Sequence, residues 1–263
     1  MCLILFAHRV HPDYPLVLAA NRDEFLDRPT APVGFWSANP DILAGRDLVG
    51  GGTWLGVKRN GRWAALTNVR EPSFHADNAP SRGAVISAFL ESGLGPDEFA
   101  GALQDRVVEL NGFNLLLGAT EKLTFVSNRG PDPGKPVHWS EVVGPGVHGL
   151  SNATLDTPWP KVERGRRALE AHLLESEPEP EALLDLLADE TAAPDLDLPD
   201  TGVGLELERA LSPARIRLPH YGTRSSTVLL VSTDGHVTFF ERTWPRRGGV
   251  PETRRYRFRI QTT

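Results

Sequence analysis

The chain is 263 residues long, with 40% hydrophobic and 24% charged side chains, the composition of a soluble globular protein able to bury a large core. Its net charge of −6 argues against a general nucleic-acid binder, and no apolar run approaches the roughly 18 residues of a membrane span. One cysteine permits no intramolecular disulfide, and no basic segment precedes a long apolar one at the start, so no secretory signal is read and a cytoplasmic location is expected.

Two short apolar runs open the chain, Cys2-Leu3-Ile4-Leu5-Phe6-Ala7 and Leu16-Val17-Leu18-Ala19-Ala20, with the turn-rich His11-Pro12-Asp13-Tyr14-Pro15 between them. They read as an antiparallel hairpin. With the turn near residues 12 and 13, the partner of Cys2 falls at about position 23, within roughly two residues of register. The only cysteine then lies beside Asn21-Arg22-Asp23-Glu24.

Cys2 follows the initiator Met, which aminopeptidases remove before small residues, and processing would make it the N-terminus. Such a cysteine carries nucleophile and base together: the thiol attacks while the α-amine, with an ordinary pKa of about 7.7–8.0, takes and returns the proton. Arg22 could stabilise the thiolate by charge, and Asp23 could orient the amine by accepting its hydrogen bonds. Against this stands the plainer reading of a lone cysteine as a small buried apolar residue and of Asn-Arg-Asp-Glu as a polar loop. Position 2 and the charged tetrapeptide occurring together favour the chemical reading.

Residues 25–50 read as irregular, broken by Pro29, Pro32 and Pro40. Gly50-Gly51-Gly52-Thr53-Trp54-Leu55-Gly56 lacks the Lys of a phosphate loop and the full dinucleotide pattern, so its glycines make a tight turn or admit a close backbone approach. Asn60-Gly61 marks a hairpin joining strands at 54–58 and 62–67, which leaves Asn68 at a strand end. There it either forms part of a site or caps a turn.

Helices are expected over 80–92 and 96–110, followed by strands at 113–117, 123–127, 137–143 and 147–150. Asn152, in Ser151-Asn152-Ala153-Thr154, is a second candidate site residue at a strand end, with a structural turn as the competing reading. The run approaches a Gly-x-Ser-x-Gly elbow, but Ala153 takes the last position and Pro158 and Pro160 delay the helix. Helices at 161–175 and 181–190, a long loop over 191–204 and a hairpin of 227–232 with 236–242 follow. Arg224 and Arg242 flank that hairpin, where either could meet Asp23 or the carboxylate end of a substrate or form a surface ion pair. The tail Arg255-Tyr256-Arg257-Phe258-Arg259-Ile260 alternates as an edge or final strand. The eight histidines are dispersed, with no paired cysteines and no Cys-x-x-Cys-His, so neither a metal nor a covalently attached cofactor is expected.

Met1-Cys2, Asn21-Arg22-Asp23-Glu24, Thr67-Asn68-Val69-Arg70-Glu71, the run from Ser151 to Lys161 and Gly222-Thr223-Arg224-Ser225-Ser226 together resemble the NRDE family, also called the transport and Golgi organisation 2 family. The resemblance covers residues 1 to about 244. It implies a single domain over 1–263 with an N-terminal-nucleophile (Ntn) hydrolase-like fold, an α+β, four-layer αββα sandwich of two antiparallel sheets flanked by helices, similar to penicillin V acylases and bile-salt hydrolases. By likeness to those acylases, Asn68 and Asn152 are expected to donate to an oxyanion and Arg224 to lie near Cys2.

Two functions follow. The first is an amidohydrolase in which Cys2, Arg22, Asp23, Asn68, Asn152 and Arg224 cleave a linear amide or related acyl bond of a small molecule through an acyl-enzyme. The second, drawn from relatives implicated in haem or lipid handling, is a non-catalytic carrier of haem or of a lipid or acyl ligand. Phe35, Trp36, Trp54 and Phe74 would then line a hydrophobic cleft, core packing being their default.

Overall fold

The structure, a computed structural model, describes residues 2–119, 122–130, 135–246 and 248–261, and only the backbone of Cys2. In chain order the first strands are β1 (Cys2–His8), β2 (Leu16–Phe25), β3 (Thr30–Phe35), β4 (Ile42–Asp47), β5 (Leu55–Lys58) and β6 (Trp63–Asn68). After helices α1 (Gly83–Glu91) and α2 (Pro96–Ala102) come β7 (Phe113–Gly118), β8 (Leu123–Arg129), β9 (Pro136–Val142) and β10 (Gly146–Leu150). The chain then runs through α3 (Pro160–Glu175), α4 (Pro180–Leu186), α5 (Leu205–Ala210), β11 (Tyr221–Val231), β12 (His236–Thr243) and β13 (Glu252–Arg259). These elements form an α+β protein with two antiparallel sheets, as the sequence leads one to expect.

The chain divides into two compact units, one of Met1–Asp27 and Pro145–Arg259, the other of Arg28–Gly144 and Ile260–Thr263. The first unit holds a six-stranded sheet ordered β10-β1-β2-β11-β12-β13. One face, carrying Leu3, Leu5, Val17, Ala19, Val228 and Leu230, packs on Val162 and Leu169 of α3 and on Leu183 and Leu184 of α4. Ile4, Phe6, Leu18, Ala20 and Leu229, pointing the other way, are buried as well. Burial on both faces explains why β1 and β2 read as continuous apolar runs rather than alternating ones. At the edge, β13 does alternate: Tyr256 and Phe258 are half-buried between exposed Arg255, Arg257 and Arg259.

The second unit is a seven-stranded meander, β3-β4-β5-β6-β7-β8-β9. Val85, Ile86, Phe89 and Leu90 of α1, with Phe99 and Ala100 of α2, bury against Ala64, Leu66, Leu115, Leu117 and Val126. The glycine run finds its reason here: a Cβ on Gly52 would lie 2.2 Å from the backbone carbon of Gly83, the first residue of α1. It is the helix itself, rather than a ligand, that approaches Gly52.

Several expectations need correction. Residues 25–50 contain two strands, β3 and β4; Pro32 is tolerated because β3 is an edge strand with a register shift between Ala31 and Gly34. The helix expected over 96–110 ends at Ala102 and gives way to a 3₁₀ turn at Val107–Glu109. There the buried Asn128 side chain donates to the Val107 and Leu110 carbonyls at 2.9 and 3.0 Å. Helix α4 stops at Leu186, and α5 was not foreseen because Leu205-Glu206-Leu207-Glu208 alternates with a strand-like period. Trp36 packs in the core, with its Nε1 donating to the Ala44 carbonyl at 3.2 Å, whereas Phe74 is about half exposed.

The Gly52 contact gives a direct test. Gly52→Ala should cost about 3 kcal/mol, the upper end for forcing atoms into a packed interface, read as a lowered urea midpoint with an unchanged m-value.

Candidate active site

In the first sheet, the register of β1 on β2 sets Cys2 opposite Arg22, within the range expected from the sequence. Strand β11 pairs with the other edge of β2, setting Thr223 opposite Asp23 and Ser225 opposite Arg22. The register shifts between those pairs, so Arg224 is the extra residue of a β-bulge. Cys2, Arg22, Asp23 and Arg224 are thus gathered at one end of three neighbouring strands, β1, β2 and β11. The side chain of Cys2 lies outside the described structure.

Each hydroxyl in the Thr223-Arg224-Ser225-Ser226 run has a distinct surrounding. Thr223 Oγ1 donates to Asp23 Oδ1 at 2.6 Å and accepts from the Ile216 N–H at 2.9 Å. A Cβ on Gly222 would meet the Ile216 carbonyl at 2.5 Å, so only glycine allows this approach. Ser226 Oγ donates to Asn21 Oδ1 at 2.6 Å and accepts from Trp244 Nε1 at 2.9 Å. Asn21 completes the tie by donating from Nδ2 to the carbonyls of Leu187 and Ala214 at 2.9 and 2.8 Å. Asn21 is therefore a fastener between β2, β11 and the chain after α4, while Asp23 is held rigidly by β11.

Arginines and carboxylates alternate through this end of the sheet. Arg22 is buried, with Nη2 3.8 Å from Glu24 Oε2, and Arg224 donates from Nη1 to the Phe25 carbonyl at 2.9 Å. Burial first, then repulsion from Arg22 and Arg246, pushes the Arg224 pKa below that of an ordinary guanidinium, with Glu24 and Asp27 acting the other way. Beyond the strand ends, Leu26, Asp27, Pro219, His220 and Arg246 line a cavity of about 590 Å³. Arg242, the other arginine considered from the sequence, is taken up elsewhere. It pairs with Glu181 at 2.6 Å and Asp185 at 3.1 Å on α4.

Asn152 is the second residue after β10 and is fully buried. Continuing the Ile4↔Leu150 register outward brings it level with Cys2. Asp156 holds the loop that carries it: its carboxylate accepts from the Gly149 N–H at 2.8 Å and contacts His148 Nδ1 at 2.7 Å, while its own N–H donates to the Gly149 carbonyl at 2.9 Å. Asp156 adopts φ 57°, a left-handed conformation that Asp tolerates better than most residues. Burial, the largest influence, would raise its pKa. The His148 and Gly149 hydrogen bonds and the nearby Arg166 outweigh it and bring the carboxyl below the usual 3.8.

Asn68 belongs to the second unit, at the end of β6. Its neighbours fix that strand end: Thr67 Oγ1 accepts from Asn114 Nδ2 at 3.0 Å, the Val69 N–H donates to the Gly112 carbonyl at 3.0 Å, and Glu71 pairs with the buried Arg129 at 2.5 Å. Among the described residues, no group of three or more His, Cys, Asp or Glu is arranged to hold a metal.

Sequence reasoning missed Thr223, Ser226 and Asp156 as the residues that hold Asp23, Asn21 and the Asn152 loop. The hydroxyl-rich run after Gly222 was a visible signal, but its partners lie about 200 residues away and only the strand register reveals them.

Because the folded-state pKa of Asp156 is depressed, its contribution to stability is complete above the unfolded value of 3.8 and lost as pH falls through its lower folded value. Asp156→Asn should therefore destabilise the protein at pH 7 by about 1 kcal/mol, and the gap to the wild type should close in urea titrations below about pH 4.

Residues 1–246 match the family described as Transport and Golgi organisation 2. The homologues of Transport and Golgi organization protein 2 from Bos taurus and Homo sapiens are each 38% identical over 285 residues, covering 100% of both chains. Among solved structures, a Caenorhabditis elegans N-acylethanolamine-hydrolyzing acid amidase (NAAA) ortholog superposes with a TM-score of 0.54 at 10% identity, covering 87% of this chain and 92% of its own. That likeness shows an Ntn-hydrolase type of fold. The chain belongs to the Transport and Golgi organisation 2 family.

Proposed function

We propose that this protein is an N-terminal-cysteine hydrolase that cleaves a linear amide or related acyl bond through an acyl-enzyme on Cys2, with 1–263 acting as one functional domain. The observation that carries this reading is the register that sets Cys2 opposite Arg22, next to an Asp23 held by Thr223. After Met1 is removed, the α-amine of Cys2 accepts the thiol proton and the thiolate attacks the acyl carbon. The resulting oxyanion accepts hydrogen bonds from the Asn152 amide, while the role of Asn68 as a second donor rests on the family resemblance alone. Collapse breaks the carbon–nitrogen bond, and the ammonium returns its proton to the leaving amine. Water then attacks the thioester, releasing the acid and restoring the thiol.

Arg22 favours the thiolate by charge, and Asp23 orients the α-ammonium. Arg22, Arg224 and Arg246 are balanced by Asp23, Glu24 and Asp27 around this end of the sheet, so any selection for an anionic group on the substrate comes from individual arginines rather than from a net positive field. One observation favours the second reading, a non-catalytic carrier of haem or of a lipid or acyl ligand: the cavity of about 590 Å³ is large enough for a sizeable ligand.

The two readings separate in an assay of amine release from a panel of N-acyl amides. The hydrolase requires that Cys2→Ala abolish release and that Asn152→Ala lower kcat by about 10²–10³ with little change in KM. Release that survives Cys2→Ala would sink the mechanism.

A further inference from the structure

Of the three hydroxyls in the run from Thr223 to Ser226, two are fully used by the fold and one is not. Ser225 is 5% exposed, and its Oγ has no hydrogen-bond partner among the described residues. A buried hydroxyl without a partner is costly, and native proteins rarely keep one without a use for it. Its position points to the use. Asn21 and Ser226 turn toward α4 and the chain after it, so Arg22 and Ser225, the next residues along their strands, turn to the opposite face of the sheet. Directly opposed residues share a face, which makes Ser225 and Arg22 neighbours.

The bulge creates this arrangement. Without the extra residue, the Thr223↔Asp23 register would continue to Arg224 opposite Arg22 and Ser225 opposite Asn21. Two guanidinium groups would then stand side by side, and Ser225 would face the helices. The bulge moves Arg224 out of the ladder and puts a small hydroxyl beside Arg22 instead.

We propose that Ser225 is a specificity-determining residue of this site: its hydroxyl, with the neighbouring Arg22 guanidinium, hydrogen-bonds a carboxylate or carbonyl oxygen on the group flanking the scissile bond of the bound acyl compound. Arg22 can only donate and the hydroxyl can donate as well, so together they fit an oxygen acceptor. Strand spacing sets Ser225 about 10 Å from Cys2 across the ladder, with Arg22 between them, which places the recognised oxygen beside the reacting bond rather than on it. The inference rests on reading this end of the sheet as the ligand site, but it does not require turnover.

Calorimetric titration in a Cys2→Ala background, where no acyl-enzyme forms, tests it with a matched pair of probes. N-lauroylglycine carries the carboxylate, and N-ethyldodecanamide lacks it. Adding Ser225→Ala should weaken N-lauroylglycine binding by about 10-fold to 100-fold and leave N-ethyldodecanamide within about threefold. The unliganded variant should also melt about 2–4 °C higher, because a buried unpartnered hydroxyl has been removed. Equal weakening of both probes, unchanged affinity for both, or no saturable binding of either would overturn the proposal. An inert Cys2 in the turnover assay would sink the hydrolase and leave this binding result standing.

Discussion

Strand β11 enters the first sheet between β2 and β12 with one residue more than its partner needs, and the arrangement of the candidate site follows from that mismatch. Before the bulge, Thr223 faces Asp23 and fixes its carboxylate; after it, Ser225 faces Arg22 and Ser226 faces Asn21. Arg224 is expelled from the ladder and its guanidinium swings back to the Phe25 carbonyl. A bulge bends its strand and re-aims side chains locally, which is why bulges recur beside active sites. Here it separates residues that hold the sheet together from residues turned to its other face.

The surrounding polar contacts are largely supports. Asn21 joins β2 to the carbonyls of Leu187 and Ala214, and the Ser226 hydroxyl and Trp244 indole extend that tie to β11 and the chain after β12. Asp156 performs the same service for the loop holding Asn152, and in the second unit the Glu71–Arg129 pair and the buried Asn128 secure the segments on either side of β7. Buried polar groups of this kind add little net stability when satisfied, but they specify one geometry because every alternative leaves donors or acceptors stranded. Reacting groups require that fixity, since small errors in placement are costly for catalysis.

Features carried by local pattern were legible in the sequence. The apolar runs around His11–Pro15 placed Cys2 near position 23, and the strand register puts it at Arg22. Asn60-Gly61 joins the strands it was expected to join, the hairpin expected of 227–232 with 236–242 forms as β11 on β12, and α3 begins one residue before its expected start. Long-range partners were not legible. The pairing of Thr223 with Asp23 spans about 200 residues, and nothing in either tetrapeptide announces the other. Hairpin geometry alone left Arg242 and Arg224 equivalent, and only the resemblance favoured Arg224; the partners Glu181 and Asp185 that take up Arg242 lie on α4, far away in the sequence. Short elements such as β3 and α5 escaped because an edge-strand proline and a two-residue alternation mimic other structures.

Whether Cys2 works as an N-terminal nucleophile is decided most directly by intact mass spectrometry of the protein from its own host, before and after exposure to an activated acyl donor. A working nucleophile predicts a mass lacking Met1, followed by a single acyl adduct that peptide mapping assigns to Cys2. Retention of Met1 together with an unmodified Cys2 would contradict it, because the α-amine that serves as base would then be tied up in a peptide bond.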